Sequence, residues 1–395
     1  MNKHSEIFFI LFLIALASCG KKTDSNPAPV VNTLLNISDV QQVRDNANAI
    51  NFHFTVNVEN PSAKTITVQY ATVDGTAKAG TEYTAKSGTL TIPANERYAT
   101  LDVSVKGDSL REAEKLFYIQ LSNPTNAKLY ATGKGTGTII CDGTFLPVDD
   151  AGYKTPSTYP GYTLSWSDDF DGTALNNNSW NYETGASGWG NNELENYTNS
   201  YKNSFITKGG YLVIEARKET AGNNYTSARI QTKGKKEFTY GRVDIRAKLP
   251  KGKGIWPALW MLGGNIFTTS WPASGEIDIM ELLGHEPGKT YGTMHWGNAG
   301  GPSTHIGKEY VLPSEDFSQA FHVFSIIWTA DKIEWYIDDV KFFTGNKSDV
   351  NGDYPFDKPF FFIFNVAVGG NWPGNPDATT VFPQRMIVDY IRVFQ

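Results

Sequence analysis

From about Asn32 to Cys141 the chain is a succession of short runs in which apolar and polar residues alternate. Ile50-Asn51-Phe52-His53-Phe54-Thr55-Val56, Thr65-Ile66-Thr67-Val68-Gln69-Tyr70, Ala99-Thr100-Leu101-Asp102-Val103-Ser104-Val105 and Leu116-Phe117-Tyr118-Ile119-Gln120-Leu121 all keep this period of two. Such a period marks half-buried strands, because successive side chains of a strand point to opposite faces. Their spacing between turn residues predicts a β-sandwich of about seven strands. A second set opens at Tyr162–Phe170, includes Arg242–Leu249 and the pair Phe324–Trp328 and Ile333–Ile337 around a turn at Asp331, and closes at Met386–Phe394. Phe360–Val368 is almost continuously apolar, as a central strand requires. Long helical periodicity is absent, so the chain is expected to be all-β. Its two units are 33–142 and 161–395, joined by a linker at 143–160 that carries Pro147, Gly152, Pro156 and Pro160.

Composition sharpens that division. All ten tryptophans lie at or beyond Trp166, so the first unit has none. The formal net charge of −6 is mild and no lysine–arginine run occurs, which argues against a nucleic-acid partner. Residues 1–18 pair a polar start with an apolar run from Ile7 to Ala17, too short for a bilayer span and expected to be a signal peptide. The run ends Leu16-Ala17-Ser18-Cys19, which resembles a bacterial lipobox. Lipidation of Cys19 would tether the protein to a membrane, outer membrane or cell surface, with 19–32 as a spacer. Cys141 would then be the only thiol left, which leaves no intrachain disulfide. A monomer is expected.

The most informative stretch is Gly275-Glu276-Ile277-Asp278-Ile279-Met280-Glu281-Leu282. Glu276 and Asp278 share one strand face, with Ile277 and Ile279 on the other. Strict alternation would bury Glu281, and an unpaired buried carboxylate costs several kcal/mol. One extra residue near Met280, a β-bulge, would return Glu281 to the face of Glu276. Three carboxylates would then line one cleft, and two of them about 5–5.5 Å apart are what retaining cleavage of a glycosidic bond requires. A solvated acidic face has the same alternation, so spacing alone leaves both readings open.

The order of four segments favours the first. Gly252-Lys-Gly-Ile-Trp-Pro-Ala-Leu-Trp-Met-Leu-Gly263, Gly275–Glu281, Gly292-Thr-Met-His-Trp-Gly297 and Val368-Gly-Gly-Asn-Trp-Pro-Gly374 together resemble glycoside hydrolase family sixteen, in particular its laminarinase-like members. The resemblance covers about 161–395 and implies a concanavalin A-like β-jelly roll. It also implies retaining endo-hydrolysis of a β-1,3-glucan, with Glu276 as nucleophile, Glu281 as acid/base and Asp278 between them. No cofactor is implied for catalysis. A mixed-linkage β-1,3/1,4-glucanase, a galactan hydrolase and a non-catalytic glycan-binding lipoprotein are the rival functions. Substrate contacts are expected from Trp256, Trp260, His295, Trp296 and Trp372, since aromatic faces suit the flat C–H faces of pyranoses, and from Asn192 and Arg229. The resemblance further implies a structural Ca2+ at Asp169, Asp389 and a carbonyl near Gly210.

In the first unit, Gln69–Ala77, Gly80–Tyr83, Ser87–Ile92, Leu121–Pro124 and Gly135–Ile140 resemble the Calx-beta domain, an Ig-like β-sandwich. Members can bind calcium between loops. Asp74, Glu82, Asp108, Glu112, Glu114 and Asp142 are the oxygen donors here, while Gly107, Lys115, Cys141 and Gly143 stand where the family has acids. This unit is expected to be a spacer or adhesive module.

Overall fold

The computed structural model describes residues 32–143, 145–219 and 224–395. The expected signal peptide, Cys19 and the spacer up to residue 31 lie outside the described residues. Apart from one 3-10 turn at Lys347–Asp349, every regular element among the described residues is a strand, and no helix is long and apolar enough to cross a membrane.

The first unit packs a four-stranded sheet on a five-stranded one. In the former, Tyr98–Val105, Ile50–Glu59, Leu34–Ile37 and Lys128–Leu129 are neighbours in that order. The latter runs Val40–Val43, Lys134–Ile140, Lys115–Thr125, Ile66–Asp74, Ser87–Ile92. The alternating residues interdigitate between them: Phe52, Phe54, Val56, Val68, Val103, Val105, Phe117 and Ile119 form one core. Cys141 closes that core, and burial pushes its thiol up to about 11.

The second unit is a sandwich of a seven-stranded and a ten-stranded sheet. The seven-stranded sheet runs Asn181–Glu183, Arg229–Gln231, Phe360–Val368, Ile255–Gly263, Glu276–Leu282, Lys289–Gly297, Ser303–Val311. Phe360–Val368 is central, and it is buried on both faces for two different reasons. Phe360, Phe362, Phe364, Val366 and Val368 point into the core, while Asn365 and Ala367 face the opposite side and floor a cleft. The larger sheet covers the core from behind through strands such as Gly241–Lys248, His322–Trp328 and Gln384–Phe394.

The segment expected to be a linker is bound along its length. Arg246 donates from Nε to the Tyr153 carbonyl and pairs with Asp150. Thr155 meets the Tyr390 hydroxyl, and the Tyr159 hydroxyl donates to Asp244. Nor is the first unit free. Arg111 is buried and donates to Glu215, itself fully buried on strand Leu212–Lys218 of the other unit. The Arg111 guanidinium stacks on Phe205 with its centre 4.1 Å from the ring, and Asp142 pairs with Arg217 at 2.9 Å. The unit expected to be a spacer or adhesive module is therefore docked on the second through buried ion pairs.

Candidate active site

The catalytic strand carries the expected bulge. Across its neighbour Lys289–Gly297, Asp278 faces Thr293 but Glu281 faces Tyr291, so three steps on one strand match two on the other. Against Ile255–Gly263 the same excess appears between Leu259 and Trp260. Ile279 and Met280 consequently both enter the core, and Glu281 returns to the cleft beside Glu276 and Asp278. A buried tryptophan supports the distortion: Trp335 donates its indole N–H to the Asp278 carbonyl at 2.8 Å.

The cleft over this sheet has a volume of about 1100 Å³. Each outer glutamate receives an indole N–H, from Trp271 to Glu276 at 2.8 Å and from Trp256 to Glu281 at 3.1 Å. His295 Nε2 lies 3.2 Å from Asp278 and 3.8 Å from Glu276. Burial, then the charge of Asp278, pushes Glu276 up to about 8. Burial also pushes Asp278 well above the usual carboxylate range. Burial, then the charges of Asp278 and Glu276, also pushes Glu281 well above the usual carboxylate range. Three carboxyls clustered on one cleft face oppose one another's ionisation. His295 and an indole N–H favour the charged form of each outer glutamate, but Arg229 acts on Glu276 and two carboxylate charges oppose ionisation of Glu281, so the proton is best kept on Glu281.

Most expected substrate residues converge here. Trp256 and Trp260 alternate with Ala258 and Leu262 on the cleft face, and Trp372 is 42% exposed at one end, 5.6 Å from the Trp256 ring. Arg229 is sandwiched between the Trp189 and Trp260 rings, 4.8 Å from each, and paired with Glu183.

Two residues do not follow expectation. Trp296 is 2% exposed and packs in the core. His295 already occupies the cleft face opposite Glu276, so the next residue must point the other way. Asn192 lies outside the cleft lining, on a left-handed turn where its amide donates to Asn371 at 2.8 Å; Asn191 and Glu193 line the cleft instead. Trp271 was not foreseen from sequence, because it sits in a loop with no periodicity and reaches Glu276 only through the fold. Tyr291, 5.0 Å from Trp372, is on the strand Lys289–Gly297 and shares the cleft face with Thr293 and His295, so the period of two carries it in the sequence.

Two of the expected calcium residues come near one another, with the Asp169 carbonyl 3.9 Å from where a Cβ on Gly210 would project. However, Asp169 is paired with Arg392 and Asp389 with Arg246, each at 2.7 Å. A calcium shell of about six or more oxygens would have to displace both guanidinium groups. Three acids of the first unit are likewise held by protein cations: Lys115 bridges Glu82 at 2.7 Å and Glu112 at 2.9 Å, and Arg44 reaches Glu112 and Asp108.

Known proteins share this arrangement. The model of the Glycosyl hydrolases family 16 matches residues 191–392, and that of the Calx-beta domain matches 37–143. The catalytic domain of an endo-1,3-beta-glucanase (laminarinase) from Thermotoga petrophila is 51% identical, with a TM-score of 0.56 over 59% of this chain and 98% of that one. A Beta-glucanase of Rhodothermus marinus is 42% identical over 60% of this chain and 86% of its own length. Glucan endo-1,3-beta-glucosidase A1 of Niallia circulans is 40% identical over 62% of this chain, which spans only 39% of that longer protein. Sequence, fold and the bulged acidic strand agree: the chain belongs to glycoside hydrolase family 16 and is a glycoside hydrolase.

Proposed function

We propose that the protein is a retaining endo-hydrolase of β-1,3-glucan of the laminarin type. The observation that carries this reading is the bulge at Ile279–Met280, which sets Glu281 on the same cleft face as Glu276. The laminarinase and β-1,3-glucanase relatives support the choice of glycan.

In the first half-reaction the Glu276 carboxylate attacks the anomeric carbon as the glycosidic C–O bond breaks. Glu281 gives its proton to the leaving oxygen. In the second, ionised Glu281 takes a proton from water, whose oxygen displaces Glu276 from the same carbon. Asp278 and His295 adjust the charge on Glu276 between these steps, and Trp271 orients the attacking oxygen. Arg229 and the Trp256, Trp260 and Trp372 rings hold the sugars.

Glu276→Ser and Glu281→Gln should each lower laminarin hydrolysis by at least about 10³-fold while oligosaccharide binding persists. Ordinary turnover in either variant refutes the assigned roles. Proton NMR of the first product resolves the anomeric outcome, and parallel assays on laminarin, barley β-glucan and agarose resolve the glycan. The proposal extends to location: a Cys19 lipid tether on a monomer, tested by whether Cys19→Ser moves the protein out of the membrane fraction.

A further inference from the structure

Beneath the cleft floor lies a carboxyl that the mechanism above does not use. Glu195 is completely buried on strand Glu195–Tyr197. Its Oε2 accepts the backbone N–H of Val368 at 2.6 Å, but its Oε1 has no donor. The carboxyl of Glu193, a cleft-lining residue, stands beside it. Both Glu193 oxygens already accept: Oε1 from the Asn191 amide at 3.1 Å, and Oε2 from the Tyr197 hydroxyl at 3.2 Å. Tyr197 in turn accepts from Asn365 at 3.0 Å, and Asn365 accepts the Trp260 indole N–H at 2.8 Å. A chain of hydrogen bonds therefore runs from a sugar-facing indole, under the cleft, to an acid with one unpaired oxygen. An ionised Glu195 would set a second negative charge against Glu193 in a dry site, with one oxygen bare. A proton on Oε1 removes both faults, because it gives that oxygen something to donate to Glu193.

We propose that Glu195 is a positioning residue, held as a neutral carboxylic acid whose O–H pins the Glu193 carboxylate as a fixed acceptor for a sugar hydroxyl at the cleft floor. Burial, then the charge of Glu193, pushes Glu195 up to about 9, in keeping with that state. The other titratable groups facing the pair are Tyr197, whose phenol is raised by burial, and Arg229, whose charge acts on Tyr197 from strand Arg229–Gln231. Strand Phe360–Val368, packed against them, brings no ionisable side chain. The role of Glu193 as a sugar contact rests on the function proposed above; the protonated state of Glu195 does not.

The two claims have separate readouts. Unfolding temperature is measured from pH 6 to 10 for the full chain, Glu195→Gln and Glu195→Met. A raised acid stabilises while it holds its proton, so the parent should lose stability relative to Glu195→Gln as pH rises through about 9. Parallel curves for parent and Gln variant overturn the neutral-acid assignment without any substrate. Binding of a β-1,3-gluco-oligosaccharide is then measured by calorimetry in a Glu276→Ser background. Glu195→Met should weaken it about tenfold at pH 7, and Glu195→Gln, which keeps an N–H donor, should restore most of that loss. If Gln binds as poorly as Met, the pinning role fails. If the parent chain binds no such oligosaccharide at all, the substrate proposal fails while the stability result stands.

Discussion

Each reacting glutamate depends on one indole hydrogen bond. The Trp271 N–H donates to Glu276, and its donation favours the charged form that attacks the sugar. Trp271→Phe keeps the ring and removes the donor, so kcat/KM should fall about tenfold. The acid limb of the pH profile should move to higher pH, because Glu276 then ionises less readily; an unmoved limb means Trp271 only lines the cleft. The parent profile has a definite sign. Activity requires charged Glu276, already raised to about 8 by burial and Asp278, so it is lost as pH falls through a midpoint well above the usual glutamate value of 4.5. It also requires protonated Glu281, raised by burial and by the charges of Asp278 and Glu276, so it is lost again once Glu281 ionises. A kcat/KM titration that finds the acid limb near 4.5 contradicts this ordering.

Among elements, the bulged strand decides everything the cleft can do, and its shape is supported from the far side of the sheet. Gly292 lies flat on Trp335: a Cβ there would stand 2.5 Å from the indole Cδ1. Trp335 is the donor to the Asp278 carbonyl, at the edge of the bulge. Gly292→Ala should therefore cost about 1–3 kcal/mol of stability by overpacking. It should also lower kcat more than it raises KM, since the shift reaches Glu281 before it reaches the aromatic walls. Equal stability and unchanged kcat would show that the strand keeps its bulge unaided. The pattern of Gly275–Leu282 predicted that bulge correctly, because the alternative was an unpaired carboxylate in a core. The same alternation applied to His295-Trp296 would have excluded Trp296 from the cleft.

At the scale of the whole molecule the two sandwiches meet through a buried ion-pair cluster centred on Glu215. Glu215 is buried, which alone would raise its pKa; Arg385, Arg111 and Arg217 more than offset that and hold it below the usual range. A lowered carboxyl contributes stability above its unfolded value of 4.5 that is lost as pH falls through the folded one. Acid should thus loosen this joint. Arg111→Met removes the partner from the first unit and leaves Arg217 and Arg385 to Glu215. Calorimetry should then resolve two unfolding transitions in place of one, with a loss on the order of 3 kcal/mol. A single transition at the parent temperature would mean that the units unfold independently of this contact. Protein cations already occupy the acids of both units, so EDTA should leave the unfolding temperature unchanged, and a fall of several degrees would restore calcium as a structural ion.

Local pattern by itself determined the all-β class, the two-unit order and the three acids of the catalytic strand. Those follow from side-chain alternation and from the cost of burying an unpaired charge, both of which act over a few residues. Tertiary structure decided the rest. Trp271 reaches Glu276 from a loop, Trp335 meets Asp278 from the opposite sheet, Arg111 crosses from one sandwich to the other, and Glu195 is buried beside Glu193 without a partner for its second oxygen. These contacts join residues whose separation along the chain carries no period, so only the packed molecule brings their charges and donors within range of one another.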